Sequence, residues 1–169
     1  NFYMKKTSLV ILSFVFAIIA NAQITKVEIM ATGLTCSMCS NAINKQLKTI
    51  DEVENVDIDL NKNLFIVRLK NNNTLSPKTF KDKVEKAGFF VGSMVLFINF
   101  RNQTVEDNKQ IDKYIFIDTK AQTLNGVAKV RVLDKGYVTT KEHKKLAKSF
   151  ARYTTYSKGN EGVFHLKTI

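Results

Sequence analysis

Two hydrophobic periodicities alternate along the first hundred residues and restrict the folds available to this chain. Apolar residues recur at alternate positions in three segments that read as half-buried strands: 24–31, 56–60 and 64–70. Two other segments have apolar residues every three or four positions, as in amphipathic helices: 37–50 and 76–87. A long apolar stretch at 89–100 follows as a last strand. The predicted order is strand, helix, strand, strand, helix, strand.

Local signals support the second helix in particular. Ser76 is a favourable N-cap, and Pro77 suits the first helical position because its missing N–H has no partner there in any helix. Gly88 supplies a stop that tolerates a left-handed backbone. This order is the split βαβ or ferredoxin-like pattern, in which two helices pack on one face of an antiparallel sheet. The first part of the chain is therefore predicted to be α+β.

The chain changes character near residue 100. Residues 101–112 are polar and are predicted to be a linker. Beyond them we expect strands at 114–118, 127–133 and 163–168, with a turn at 123–126. Thr139 and Glu142 form a capping-box pattern that predicts a helix running to about Tyr153. Residues 100–169 are thus interpreted as a small basic α/β region of unknown function.

The N-terminus has the pattern of a secretory signal peptide. Lys5 and Lys6 precede an apolar run from Leu9 to Ala20, and Ala20-Asn21-Ala22 is a small-residue cleavage pattern. Cleavage is expected between Ala22 and Gln23, which would make the mature protein periplasmic or extracellular. The run is short for a membrane span, although an uncleaved anchor is the alternative. Asn1–Tyr3, before Met4, are interpreted as an over-extended start.

Positive charge is concentrated in the second part of the chain. The net charge of +11 comes from 26 basic and 15 acidic residues. Lys5 and Lys6 contribute +2, residues 23–99 contribute +2, and residues 100–169 contribute +7. Its densest cluster lies at helical spacing: Lys141, Lys144, Lys145, Lys148 and Arg152. This helix is interpreted either as a solvated face or as a surface that attracts an anionic membrane or an acidic partner. Nucleic acid is not expected as a partner of an exported protein.

The chemistry of the chain is predicted to lie at Cys36 and Cys39, its only two cysteines. They are three residues apart on a strand-to-helix loop, where helix N-terminal amides stabilise thiolates. Two thiolates suit a soft ion of low coordination number, such as Cu(I) or Hg(II). A structural zinc site needs four ligands, and the two histidines, His143 and His165, lie far along the chain and are not expected to act together.

The same Cys-x-x-C spacing also occurs in redox enzymes and in purely structural cysteine pairs. Thioredoxin-like enzymes usually carry a Trp before the motif, a Pro within it and a cis-Pro facing it. This chain has no Trp, and its single proline is Pro77 at a helix start. Soft-metal binding is therefore favoured over both alternatives.

The loop that carries the two cysteines resembles that of a known family. Gly33-Leu34-Thr35-Cys36-Ser37-Met38-Cys39 is similar to the G-M-T-C-x-x-C loop of heavy-metal-associated domains, with Leu34 in place of the usual Met. Lys86-Ala87-Gly88-Phe89 resembles the loop that flanks their metal site. The resemblance covers roughly residues 24–99 and assigns 23–99 to such a domain. It implies that Cys36 and Cys39 are the ligands, with Cys36 more exposed, and that Met38 and Phe89 are accessory residues.

The resemblance also implies a function without catalysis. Such a protein sequesters or transfers a soft ion, with Cu(I) favoured and Hg(II) or another soft ion as alternatives. Its expected partner is a metal-transporting P-type ATPase or another thiolate-bearing acceptor. Two alternatives stay open: a thiol-disulfide redox protein that uses the same cysteines, and a metal-sensing or docking module for a membrane transporter.

Overall fold

A computed structural model describes residues 22–159 and 161–169. The predicted signal peptide, except for Ala22, and the interpretation of Asn1–Tyr3 fall outside the described residues. The elements are β1 (Gln23–Thr32), α1 (Ser37–Leu47), β2 (Val53–Asp59), β3 (Leu64–Leu69), α2 (Pro77–Lys86), β4 (Phe90–Val105), β5 (Lys109–Ile111), β6 (Tyr114–Phe116), β7 (Gln122–Val132), α3 (Thr140–Ser149), α4 (Thr154–Lys158) and β8 (Phe164–Thr168). Within the described part of the chain, no helix has the length and hydropathy needed to cross a membrane.

The first part of the chain has the predicted ferredoxin-like fold. Its four strands are antiparallel in the order β2-β3-β1-β4, and α1 and α2 contact each other over the sheet. Ile29, at the centre of β1, pairs with Phe65 of β3 and Met94 of β4. The apolar stripes of the helices, including Ile43 and Phe80, are fully buried in the same core. The alternating and helical patterns thus mark two surfaces that bury each other.

Helix α2 begins and ends where its sequence signals lie. Ser76 has the extended backbone of an N-cap residue, and Pro77 occupies the start of the helix, although the Ser76 side chain makes no capping hydrogen bond. Gly88 follows the last turn with φ +91°, a conformation that favours glycine, and its N–H donates to the carbonyl of Glu85 at 2.9 Å. The chain then turns directly into β4.

The predicted linker is wrong, because β4 runs through its first part. The strand continues to Val105 and pairs with β7 from Val95↔Arg131 to Val105↔Gln122. The predicted turn at 123–126 is also wrong, since these residues belong to β7 and Gly126 pairs with Phe100. The polar composition of residues 101–104 reflects side chains at the surface, whereas Val105 is fully buried. A strand with solvent on one side carries such residues without losing its ladder.

The second part of the chain extends the same sheet. The eight strands follow the order β2-β3-β1-β4-β7-β8-β6-β5, with β6 and β8 parallel. Strand β5 and helix α4 are missing from the sequence prediction, and α3 ends at Ser149 instead of near Tyr153. The division into 23–99 and 100–169 stays a prediction, and the sheet continues without a break across that boundary.

Two apolar clusters lie on opposite faces of this sheet, the smaller one over its C-terminal strands only. The larger one contains the residues under α1 and α2 and continues through Phe100, Phe116 and Phe164. The smaller cluster gathers apolar residues of the sheet with those of α3, α4 and the segment between them: Ile115, Ile117, Leu133, Leu146, Phe150, Tyr153, Tyr156 and Val163. Alternate residues of β6 therefore enter opposite clusters, with Tyr114 and Phe116 in one and Ile115 in the other.

Candidate metal site

The loop between β1 and α1 presents the two cysteines at one end of the sheet. Gly33 leaves β1 with φ +84°, and a Cβ placed on it would lie 3.9 Å from Cδ1 of Phe89. The Leu34 side chain packs partly buried against the larger core, as expected for a residue that replaces Met. Cys36 has the extended backbone of an N-cap, and its carbonyl accepts from the Cys39 N–H at 3.1 Å. The loop is thereby fixed at both of its ends.

The two sulfur atoms lie next to each other at the start of α1. Cys36 Sγ and Cys39 Sγ are 3.0 Å apart, both thiols are free, and Cys36 is exposed while Cys39 is half-buried. The hydrogen bond with the Cys36 thiol lowers the pKa of the Cys39 thiol, and backbone hydrogen bonding at Thr35 lowers this pKa further. A lower pKa favours the thiolate, the form that binds metal ions. The geometry suits one soft ion shared between two sulfurs.

The two accessory candidates lie in different environments. Met38 is 80 % exposed, so its thioether is in solvent. Phe89 is half-buried and packs against the core beside Gly33, where it supports the loop. Across residues 22–159 and 161–169, no group of three or more His, Cys, Asp or Glu side chains is placed to hold a metal ion. The cysteine pair is therefore the arrangement of soft donors from which a metal site can be built here.

The sequence prediction missed two residues that line a hollow beside Cys36. A shallow hollow of about 240 Å³ is lined by loop residues together with Leu60 and Asn63 from the β2–β3 turn. The carbonyl of Asn63 accepts from the Ala31 N–H at 3.2 Å, which holds this turn against the end of β1. Leu60 is 56 % exposed. An apolar residue directly before a polar Asn-Lys-Asn turn is the signal that marks this position.

The histidines belong to other parts of the molecule. His165 is fully buried in β8, where Nδ1 lies 2.7 Å from Asp134 Oδ1 and Nε2 lies 2.9 Å from Thr155 Oγ1. The His143 ring lies 5.9 Å from the ring of Tyr156. Both histidines thus serve the packing of α3 and α4 over the second part of the sheet.

A ferredoxin-like sandwich with two free thiols at a strand-to-helix loop defines a class of small cysteine-based metal-ion-binding modules. Residues 28–90 match the model of one such family, described as the heavy-metal-associated domain. The chain belongs to this family through its N-terminal part.

Similar solved structures each match about two fifths of this chain. The yeast copper transporter domain Ccc2a, solved in apo and Cu(I)-loaded states, is 34 % identical, over 38 % of this chain and 88 % of that one, with a TM-score of 0.35. The Cu(I)-loaded N-terminal domain of a potential copper-translocating P-type ATPase from Bacillus subtilis is 28 % identical, over 40 % and 82 %, with a TM-score of 0.35. A chain of the Atx1–Cu(I)–Ccc2a complex is 33 % identical, over 40 % and 90 %, with a TM-score of 0.35. No curated protein matches this chain.

Proposed function

We propose that the protein binds one Cu(I) ion between Cys36 and Cys39 and passes it to a thiolate-bearing acceptor by ligand exchange. The observation that carries this proposal is the pair of free sulfurs 3.0 Å apart on an exposed loop. Two thiolates are preferred ligands for a soft monovalent ion, which accepts low coordination numbers. Membership of the heavy-metal-associated family supports a metal-ion cargo. The 34 % sequence identity to Ccc2a, described as a copper transporter domain, supports copper as that cargo.

Transfer follows from the unequal exposure of the two sulfurs. With two protein ligands, the ion has room for a third sulfur, which approaches from the side of the exposed Cys36. The incoming thiolate forms a bond to the ion, and the bond to Cys36 then breaks. A second thiolate replaces Cys39 in the same way. The ion keeps its oxidation state and is never released to water, and the departing thiolates of this chain become free to take up protons.

Exposed apolar side chains around the loop supply a surface for such an acceptor. Met38 is 80 % exposed, and Phe90, at the start of β4, is 68 % exposed. Leu60 shares the hollow beside Cys36. Exposed apolar side chains grouped around a functional loop are typical of interaction sites. The partner proposed here is a metal-transporting P-type ATPase or another thiolate-bearing acceptor, met after export and cleavage between Ala22 and Gln23.

A Cu(I) titration against a competing chromophoric chelator tests the cargo and its ligands. The unmodified protein is expected to withdraw one Cu(I) per chain, and the double variant Cys36→Ser, Cys39→Ser is expected to withdraw none. Met38→Leu, which replaces the exposed thioether by a side chain of similar volume, serves as the matched control and keeps full stoichiometry. An unchanged stoichiometry in the double variant would falsify the proposal.

A thiol-disulfide function is the second candidate, because the close sulfurs and the lowered Cys39 pKa also suit redox chemistry. In that case the reduced protein would accelerate insulin reduction in the presence of excess dithiothreitol. A rate equal to that of the Cys36→Ser, Cys39→Ser variant removes this candidate.

A further inference from the structure

Helix α3 presents a continuous lysine face that the metal site does not use. Its four lysines are all exposed: Lys141, Lys144, Lys145 and Lys148. At roughly 100° per residue they fall within an arc of about 100° on the helix surface and span about 10 Å along its axis. Glu142, the single acid of this helix, lies outside this arc, about 110° from its centre, although it lines the same surface hollow as Lys141 and Lys145. The face is therefore uniformly positive.

The other side of α3 is fastened to the sheet. Glu142 accepts two hydrogen bonds from the Arg131 guanidinium, at 2.6 and 2.8 Å. Thr139 caps the helix by accepting from the Glu142 N–H at 3.2 Å. Leu146 packs against the smaller apolar cluster, and His143 lies against Tyr156. These contacts orient the helix on the sheet with its lysine face toward solvent.

The four lysines lack acidic partners within the described ranges, where none of them forms an ion pair. Lysines of α2 behave differently, since Lys78 pairs with Asp82 at 2.5 Å and Lys81 pairs with Glu85 at 2.9 Å. An uncompensated patch of this kind attracts anions in proportion to its charge, and salt weakens this attraction.

We propose that the lysine face of α3 docks the protein onto an anionic lipid surface. The composition of the face favours lipid over a folded acidic protein. Protein interfaces depend on buried aromatic and arginine anchors and are depleted in lysine, and this face carries neither kind of anchor. Lysine is a flexible point charge, which suits mobile phosphate headgroups rather than carboxylates of fixed geometry.

The start of α3 lies close to the strand that leads into the cysteine loop. A Cβ built on Gly92 would lie 3.7 Å from Thr139 Cγ2, at the start of α3, and 2.6 Å from Thr32 Cγ2, directly before the cysteine loop. The start of the helix is thus adjacent to the strands that carry the site. Lipid binding itself involves no metal ion, so the proposal stands independently of the proposed function.

Vesicle co-sedimentation tests the docking directly. The metal-free mature protein, residues 23–169, is mixed with vesicles of phosphatidylcholine alone or with 30 % phosphatidylglycerol, in low salt and then in about 0.3 M salt. Binding is expected only to the anionic vesicles and is expected to weaken in high salt. Each lysine near an anionic surface contributes about fivefold in affinity, so replacing all four by Gln is expected to reduce binding at least tenfold.

A control variant with the same net charge separates the effect of the lysine face from the effect of net charge. Lys45, Lys48, Lys120 and Lys135 are exposed and form no ion pair in the described ranges, and their replacement by Gln is expected to change binding less than threefold. Gln preserves helix propensity, and circular dichroism verifies that both variants are folded. Equal losses in the two variants, or no binding to anionic vesicles at low salt, would overturn the proposal. Binding to polyglutamate but not to vesicles would overturn it in favour of an acidic protein.

Discussion

Phe100 of β4 and Phe116 of β6 lie with their ring centroids 6.1 Å apart and their planes tilted by 58°, both almost completely removed from solvent. One residue is on the last strand of the ferredoxin-like unit, and the other is on a strand of the basic C-terminal part. Because both belong to the larger core, the two parts share buried apolar surface as well as a sheet. Strand β1, which carries the cysteine loop at its end, therefore shares its sheet and its apolar core with the C-terminal part.

Phe116→Ala should destabilise the N-terminal part as well as its own neighbourhood. Truncating a fully buried Phe to Ala costs roughly 3–5 kcal/mol through lost transfer energy and a residual cavity. The described tyrosines lie between 114 and 156, so tyrosine emission reports the C-terminal part, and amide exchange in β1 and β3 reports the other. Both tyrosine emission and amide exchange should show the loss of stability. Unaltered exchange in β1 and β3 would indicate two independently stable parts.

The Cys36 thiol should control the reactivity of Cys39. It lowers the Cys39 pKa through their hydrogen bond, so Cys36→Ala is expected to raise that pKa, while Cys36→Ser retains a hydroxyl donor and raises it less. Each variant leaves a single thiol, and the pH dependence of its alkylation by iodoacetamide gives the pKa. Alkylation in Cys36→Ala should reach half its maximal rate at a higher pH than in Cys36→Ser. Identical profiles would contradict the role of the hydrogen bond.

Periodicity was sufficient to predict five of the six elements of the ferredoxin-like unit, because each of these has one buried and one exposed face. The sixth, β4, was marked instead by its continuous apolar stretch, in which Leu96, Phe97 and Ile98 are all buried. The six segments between Ile24 and Phe100 were assigned to the correct type of element. The pattern failed at residues 101–104, where polar side chains line a strand that continues through them to Val105. A single sequence carries no information on which distant strand, here β7, will pair with such a segment. The β-bulge between Phe100 and Gln103 further disturbs the alternation.

The candidate site also has features that the sequence predicted and features that it did not. Cys36, Cys39 and the Gly33 turn were predictable because their chemistry and spacing are local. Leu60, on the far side of the hollow, lies more than twenty residues away and reaches Cys36 only through the pairing of β3 with β1. The environment of His165 was equally hidden, since Asp134 and Thr155 approach it from two different segments. Contacts between distant segments thus determined both of these features, which the sequence pattern left open.

The Arg131–Glu142 pair should contribute measurably to the docking of α3. Its two parallel hydrogen bonds are charge-assisted, and both side chains are about 70 % buried. Glu142→Gln retains helix propensity but removes the carboxylate that accepts both hydrogen bonds. We expect the free energy of unfolding, measured with urea, to fall by about 1 kcal/mol. Glu106→Gln is the matched control, because Glu106 pairs with Lys109 at 3.9 Å on an open surface. Equal effects of the two substitutions would contradict a stabilising role for the Arg131–Glu142 pair.

Asp107 should make stability depend on pH through Tyr153. Burial raises the pKa of Asp107, but the hydrogen bond from the Tyr153 hydroxyl, with backbone N–H groups of Thr119 and Asp118, outweighs burial and lowers this pKa overall. A lowered folded-state pKa stabilises the protein at neutral pH, and this contribution is lost as pH falls through that pKa.

Tyr153→Phe removes the hydroxyl donor, so the stability difference between it and the unmodified protein should shrink between about pH 7 and pH 3. Tyr156→Phe, which loses a hydrogen bond to the Leu133 carbonyl, provides a control whose cost stays constant over this range. A pH-independent cost for Tyr153→Phe would argue against Asp107 as the titrating group.

The Asp134–His165 contact should be among the most sensitive polar interactions in the C-terminal part. Asp134 Oδ2 accepts from the His165 backbone N–H at 2.6 Å, and Oδ1 lies 2.7 Å from Nδ1 of the fully buried ring. Asp134→Ala leaves both groups without an acceptor, and the expected loss in unfolding free energy is roughly 2–4 kcal/mol. Asp134→Asn retains one carbonyl oxygen and should lose less. Asp57→Ala, at an exposed pair with Arg68, should change stability by less than about 0.5 kcal/mol. If Asp134→Ala is tolerated as well as Asp57→Ala, the buried network does not hold β8 in place.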